Sequence, residues 1–306
     1  MSRIDRALRI REGGTAALPT DPPDAQAGDT APLQQYDREE RIAVIQRDVR
    51  EEPAEVVEER PTASRRAGST RPSPRVNASI DEEHRSRLVT ATSSNVSIEQ
   101  YRRLAAALHE EQVGSKLKSV MITSALPGEG KTLTALNLAL TLTESYQRRV
   151  LLIDADLRGP SLHHALSLSN DRGLSDALAD GQELSFVDVS SSLSVLCAGT
   201  PGPTPLAGLT SRRMEEILEQ CAARFDWVLI DTPPVGVLTD AQVLARLAGA
   251  VLFVIGAGST PAATVERSIA ELGGPDAIFG LVLNRVDEHR IPDADYYDRY
   301  QPVPSK

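Results

Sequence analysis

Cysteine is almost absent from this chain: Cys197 and Cys221 are the only two in 306 residues. They lack the spacing of metal ligands and read as buried thiols of a reducing compartment. No apolar run approaches the ~20 residues that span a bilayer, and the first residues lack the apolar centre of a secretion signal. A cytoplasmic chain is expected. Positive charge is also short, with a net charge of −10, whereas a sequence-neutral nucleic-acid binder presents a basic face. No nucleic-acid partner is expected.

Lysine is missing altogether from residues 1–92, which hold 15 arginines, 17 acids and eight prolines with few aliphatic clusters. Such a composition predicts a largely disordered N-terminal arm, with short helices at 2–12 and 38–50. The remainder, 93–290, is long enough for one α/β domain of about 200 residues, followed by a flexible tail at 291–306.

What the chain does have is ITSALPGEGKT at 122–132, between the apolar Val120, Met121 and Ile122 and an amphipathic stretch at 133–142. This is strand, Gly-rich turn, helix. Gly128 and Gly130 let backbone N–H groups turn inward, and the helix start adds free donors and a positive dipole end. Pro127, Gly128, Glu129, Gly130, Lys131, Thr132 and Leu133 are therefore the nucleotide-binding candidates. Lys131 reaches the outer phosphates, and Thr132 offers its hydroxyl to Mg²⁺.

Two further strands end in carboxylates, RVLLIDADLRGPS at 149–161 and DWVLIDTPPV at 226–235. A parallel sheet delivers such ends to one edge, where the phosphate loop also lies. Asp154 and Asp156 are two apart, so on a strand they point the same way and repel unless a cation sits near them. Asp156 and Asp231 are assigned to the metal, and Asp154 to the transferred phosphoryl group as base or nucleophile-orienting residue. Strands near Val120, Leu151, Val195, Val228, Val251 and Leu281 alternate with helical stretches. They predict a P-loop NTPase with a mainly parallel sheet and helices on both faces.

The three segments SALPGEGKT, LLIDADLRGPSLH and DWVLIDTPPVGVLTDA resemble, in order and spacing, those of the bacterial tyrosine kinases that regulate capsule and exopolysaccharide synthesis. These kinases are relatives of the cell-division and plasmid-partition ATPases. DRGLSDAL at 171–178 and the loop at 199–209 are smaller echoes, and the likeness covers about 95–290. The opening MSRIDRALRIRE resembles the start of kinases encoded with exosortase-linked polysaccharide systems. The partition and division ATPases carry a second loop lysine where this chain has Leu126, which favours the kinase branch. The resemblance implies ATP and Mg²⁺, a membrane-embedded chain-length regulator of polysaccharide export as activator, and an adenine contact from Asn284 in LVLNRVD. The Asn-Lys-x-Asp pattern of guanine recognition is absent.

Family members also carry an ExxRxxR helix that packs subunits into a ring. Glu99 and Arg102 match, Ala105 replaces the second arginine, and Arg103 faces about 100° away on a helix. Ile98, Tyr101, Leu104 and Leu108 on the same helix read as the face that covers the sheet. Tyr296, Tyr297 and Tyr300 make up half of the six tyrosines. They lie in a short acidic tail where burial is not expected, and the resemblance makes them the phosphoacceptors. A second class fits the same residues: a nucleotide-switched adaptor that hydrolyses ATP slowly and uses its tail for docking.

Overall fold

The runs VLLID and WVLID are apolar on both alternating faces, as a strand covered on two sides requires, and both are buried along their whole length. The computed structural model describes residues 42–44, 88, 95–180, 183–287 and 291. The strands among them are β1 (Ile42–Val44), β2 (Ser119–Ser124), β3 (Val150–Asp154), β4 (Val187–Asp188), β5 (Leu193–Leu196), β6 (Trp227–Asp231), β7 (Ala250–Gly256) and β8 (Gly280–Asn284). They form one sheet in the order β1-β8-β7-β2-β6-β3-β5-β4. Its pairings are parallel except β4 with β5. All six sequence-predicted strands are present.

Helices cover both faces, as expected. They are α1 (Asn95–Ser115), α2 (Lys131–Tyr146), α3 (Leu162–Ala165), α4 (Leu174–Asp180), α5 (Pro205–Leu209), α6 (Arg212–Arg224), α7 (Asp240–Leu247) and α8 (Ala262–Glu271). Successive strand residues point to opposite faces, so Val120, Ile122, Leu252 and Val254 pack under α1 and α2 with Leu104, Leu108, Leu136 and Leu142. Met121, Val251 and Phe253 pack with Met214, Ile217, Leu244, Val265 and Ile269 of α6, α7 and α8. Cys197 and Cys221 are buried free thiols, and burial pushes both up to about 12.

Strand β1 lies inside the segment 38–50, where the sequence predicts a helix. Ile42 pairs with Leu281 and Val44 with Leu283. The open edge of β8 offers unpaired backbone groups, and β-branched Ile42 and Val44 suit a strand, so a long-range pairing replaces the local helical pattern. Leu88 of the arm and Ile291 at the start of the tail are buried core residues. The predicted helix at 2–12, the remaining arm residues and the tail from 292 on, with Tyr296, Tyr297 and Tyr300, lie outside the described residues.

In α1, Tyr101, Leu104 and Leu108 are buried as the amphipathic pattern predicts. Ala105 is buried as well, with no exposed surface. Arg102 and Arg103 point outward, and Arg103 Nε lies 3.8 Å from Glu99 Oε1. The position of the second ring-packing arginine is thus a small core contact in this chain.

Candidate active site

The phosphate loop joins β2 to α2 at the carboxyl edge of the sheet. Gly128 and Gly130 adopt φ of 77° and 90°, a left-handed conformation that costs other residues about 1 kcal/mol or more. Gly130 caps α2 without any side-chain hydrogen bond, which leaves the first-turn N–H groups for an anion. A Cβ on Gly130 would fall 2.1 Å from Asn284 Nδ2, so besides the left-handed φ a side chain there would displace the Asn284 amide.

Pro127, Gly128, Gly130, Lys131, Thr132 and Leu133 line a cavity of about 590 Å³ together with Asp156, Ser161, Asn284 and Arg285. Lys131 Nζ lies 3.8 Å from Asp156 Oδ2. Thr132 Oγ1 donates to Asp231 Oδ2 at 2.6 Å and lies 2.9 Å from Ser161 Oγ. Thr132 has one proton and spends it on Asp231, so Ser161 is the donor in the second bond.

Glu129 contributes its side chain to the loop's anchorage. Its side chain turns away from the cavity and is 2% exposed. There it accepts from Leu126 N at 2.6 Å, Gly256 N at 2.9 Å and Thr260 Oγ1 at 2.5 Å. Three donors from the loop's start and from the end of β7 thus converge on one carboxylate, which fixes the loop to the sheet. Asn284, at the end of β8, donates from Nδ2 to the Glu129 carbonyl at 2.8 Å and accepts from Arg285 N at 2.9 Å. The Arg285 guanidinium donates to the Gly128 carbonyl. Asn284 is at the cavity as expected, and it also holds the loop's backbone.

The carboxylates fall out differently from the strand-parity expectation. Strand β3 stops at Asp154, so Asp156 lies beyond it and the period of two no longer applies. The carboxyl group facing Asp154 is that of Asp231, its register partner on β6. Asp154 is fully buried and accepts from Ser161 N and Leu162 N at 3.0 Å and from Asp156 N at 3.2 Å. Burial, then the Asp231 charge, pushes Asp154 up to about 7. Burial likewise pushes Asp231 up to about 6, against Lys131 and the Thr132 hydroxyl. Asp156, not Asp154, lines the cavity. Burial raises it and Lys131 opposes the rise.

The donor set fits a hard divalent cation. Asp231 Oδ1 is buried with no hydrogen-bond partner, an acceptor left open next to the Thr132 hydroxyl. Among the described residues no group of three or more His, Cys, Asp or Glu side chains forms a metal cage. Mg²⁺ suits this arrangement, being held by one or two protein oxygens plus phosphate and water.

Two features escape a sequence reading. Arg158 forks onto Asp240, with Nε 2.8 Å from Oδ2 and Nη2 3.3 Å from Oδ1. Tyr101 reaches the cavity from α1, its hydroxyl accepting from Asn137 Nδ2 at 3.3 Å. The apolar neighbours of Tyr101 give no hint of this. Arg158 and Asp240 stand inside the quoted motifs, where their pairing is the one signal that spacing could not supply.

This loop, open helix start and carboxylate edge define a P-loop nucleotide-binding α/β domain. Residues 120–302 match the model of the CobQ/CobB/MinD/ParA nucleotide binding domain. The chain is 36% identical over 205 residues to the tyrosine-protein kinase YwqD of Bacillus subtilis, an alignment that covers 65% of this chain and 85% of that one. It is 31% identical over 219 residues to the tyrosine-protein kinase wzc of Salmonella typhimurium, which covers 70% of this chain but only 30% of that longer protein. The kinase domain of Escherichia coli tyrosine kinase ETK superposes with a TM-score of 0.59 at 34% identity, over 62% of this chain and 76% of that one. The chain belongs to the bacterial tyrosine-protein kinase family. Among the described residues no helix is long and apolar enough to cross a membrane.

Proposed function

We propose that this chain is an ATP- and Mg²⁺-dependent protein tyrosine autokinase that phosphorylates Tyr296, Tyr297 and Tyr300 of its tail and regulates capsular or exopolysaccharide assembly or export. The observation that carries the reading is the Thr132–Asp231 contact at 2.6 Å, with Asp231 Oδ1 left open beside it. Mg²⁺ supplies charge neutralisation at the phosphates when bound. Thr132 and Asp231 would hold it, directly or through water. The loop's N–H groups and Lys131 cradle the phosphates, and Asn284 stands at the base end.

A tyrosine hydroxyl titrates near 10 and enters neutral, so it must lose a proton during transfer. Three backbone N–H groups already occupy Asp154 and hold the 154–162 turn. The proton acceptor is therefore Asp156, which faces the cavity and sits on Lys131. The activator in this reading is a membrane-embedded chain-length regulator whose cytoplasmic segment recruits the kinase to the inner membrane.

The second reading, a nucleotide-switched adaptor, is favoured by one observation: Ala105, in place of a ring-packing arginine, is a core residue. Intact-mass and phosphopeptide analysis after incubation with Mg²⁺ and ATP separates the two. Tail phosphate in the unaltered chain, and in neither Lys131→Met nor the triple Tyr→Phe variant, supports the autokinase. ATP consumption without phosphotyrosine, with or without the regulator's segment, supports the adaptor.

A further inference from the structure

The cavity has two chemically different ends. Strand β2 feeds the phosphate loop, with β7 and β8 on one side of it and β6 and β3 on the other. Asn284 and Arg285 line the cavity at the β8 end and Asp156 lines it past the end of β3, while Asp231, buried at the end of β6, stands behind the lining residue Thr132. Thr132 leans on Asp231, so the metal and the outer phosphates belong to that second end and the base to the first.

Past Asp231 the chain runs directly into Pro233, Pro234, Val237 and Leu238, which line the same cavity and, by continuity with Asp231, belong to the Thr132 side of it. Val237 is 56% exposed, and among the described residues only Val113, at 76%, is a comparably open large apolar side chain. Phosphates and a hydrated cation gain nothing from an apolar wall, whereas an aromatic ring does. The wall is also rigid. Val235 N donates to Ser124 O at 2.8 Å and Gly236 N to Ala125 O at 3.2 Å. A Cβ on Gly236 would come within 2.7 Å of that same Ala125 oxygen. The loop is thus pressed against the root of the phosphate loop, and Val237 keeps a set place relative to the phosphates.

We propose that Val237 and Leu238 form the platform on which the phenol ring of an acceptor tyrosine from segment 292–306 lies. The proposal rests on the autokinase reading. The segment is the occupant its chemistry suits: Tyr296, Tyr297 and Tyr300 stand among Asp293, Asp295 and Asp298. The cavity is lined by Lys131, Arg158 and Arg285 and by the carboxylate of Asp156, with Arg158 paired to the buried Asp240 and Lys131 3.8 Å from Asp156. With the ring on this wall the phenol oxygen forms a bond to the γ-phosphorus as the bond from that phosphorus to the bridging oxygen breaks. ADP leaves with that electron pair, and the phenolic proton passes to Asp156. The wall favours tyrosine over water by covering the apolar ring and excluding solvent from the in-line position.

The test uses the full chain carrying Tyr296→Ser, Tyr297→Ser and Tyr300→Ser, which removes the rings from its own tail, with a synthetic peptide of residues 289–306 as acceptor. Peptide affinity is measured by fluorescence anisotropy with Mg²⁺ and a non-hydrolysable ATP analogue bound, peptide KM by phosphopeptide mass spectrometry, and nucleotide affinity with a fluorescent ADP. Val237→Asp should raise peptide Kd and KM at least tenfold while nucleotide Kd stays within twofold, and Val237→Leu should behave as the unaltered residue. Failure of the peptide to bind, or peptide Kd and KM indifferent to Val237→Asp, overturns the platform. A matching rise in nucleotide Kd overturns it too, because the wall would then hold the base. Val237-dependent peptide binding without any phosphotyrosine leaves the platform standing and removes the autokinase reading instead.

Discussion

The Arg158 guanidinium grips the Asp240 carboxylate through two nitrogens, at 2.8 and 3.3 Å, and Asp240 is 1% exposed. One ion pair therefore ties the turn that carries Asp156 to the start of α7, just past the loop that follows Asp231. Replacing Arg158 by lysine keeps the charge and loses the planar fork. Arg158→Lys should lower the thermal midpoint and the rate of tail phosphorylation, with little change in nucleotide affinity. Arg158→Ala should be worse, and Asp240→Asn on top of it should restore part of the midpoint, because the buried charge left alone is then gone. Thermal scans of the single and double variants check this.

The Thr132 hydroxyl and Asp231 make a paired prediction about the metal. Thr132→Ala and Asp231→Asn should each raise the Mg²⁺ concentration needed for half-maximal nucleotide binding by about 10- to 100-fold. Nucleotide affinity without Mg²⁺ should change much less. Titration of Mg²⁺ against a fluorescent nucleotide reads both quantities, and an unchanged Mg²⁺ midpoint in either variant would remove that residue from the metal site.

Asp154 and Asp231 predict how stability follows pH. Their folded values are raised from 3.8 to about 7 and about 6. The folded state thus keeps protons that the unfolded chain has released, and it binds more of them. Stability is then full below about 4 and falls as pH rises through about 7. The pair titrates jointly. Between pH 5 and 8 the nucleotide-free thermal midpoint should drop on the order of 5 °C. Asp154→Asn should flatten the drop, and Mg²⁺ with nucleotide should abolish it by supplying the missing positive charge.

Glu129 should act as a brace rather than a ligand. Glu129→Gln turns an amide N–H₂ toward donors that need an acceptor, and a buried donor left unsatisfied costs about 1–3 kcal/mol. Nucleotide affinity should fall roughly tenfold and the thermal midpoint with it, while the Mg²⁺ midpoint for the nucleotide that still binds stays put. Isothermal titration against differential scanning calorimetry separates these effects.

Much of this fold was legible because parallel strands buried on both faces leave long apolar runs. Val120, Leu151, Val195, Val228, Val251 and Leu281 all fall inside strands. Strands β1 and β4 were not, being three and two residues long and defined by the edge they complete rather than by their own pattern. The loop's glycines, lysine and threonine were readable because phosphate chemistry dictates the residue type. Side-chain direction was not. Glu129 faces inward because three donors converge on it, and the parity linking Asp154 to Asp156 fails because the strand ends between them.

Strand β1 shields the outer edge of β8 with three residues borrowed from far upstream. A chain shortened to begin at residue 93 would keep every residue of the nucleotide cavity and still bare that row of backbone donors and acceptors. Exposed edges of this kind recruit strands from other molecules. The trimmed protein should therefore be less soluble than the whole one, with self-association growing from β8 while its nucleotide chemistry stays intact.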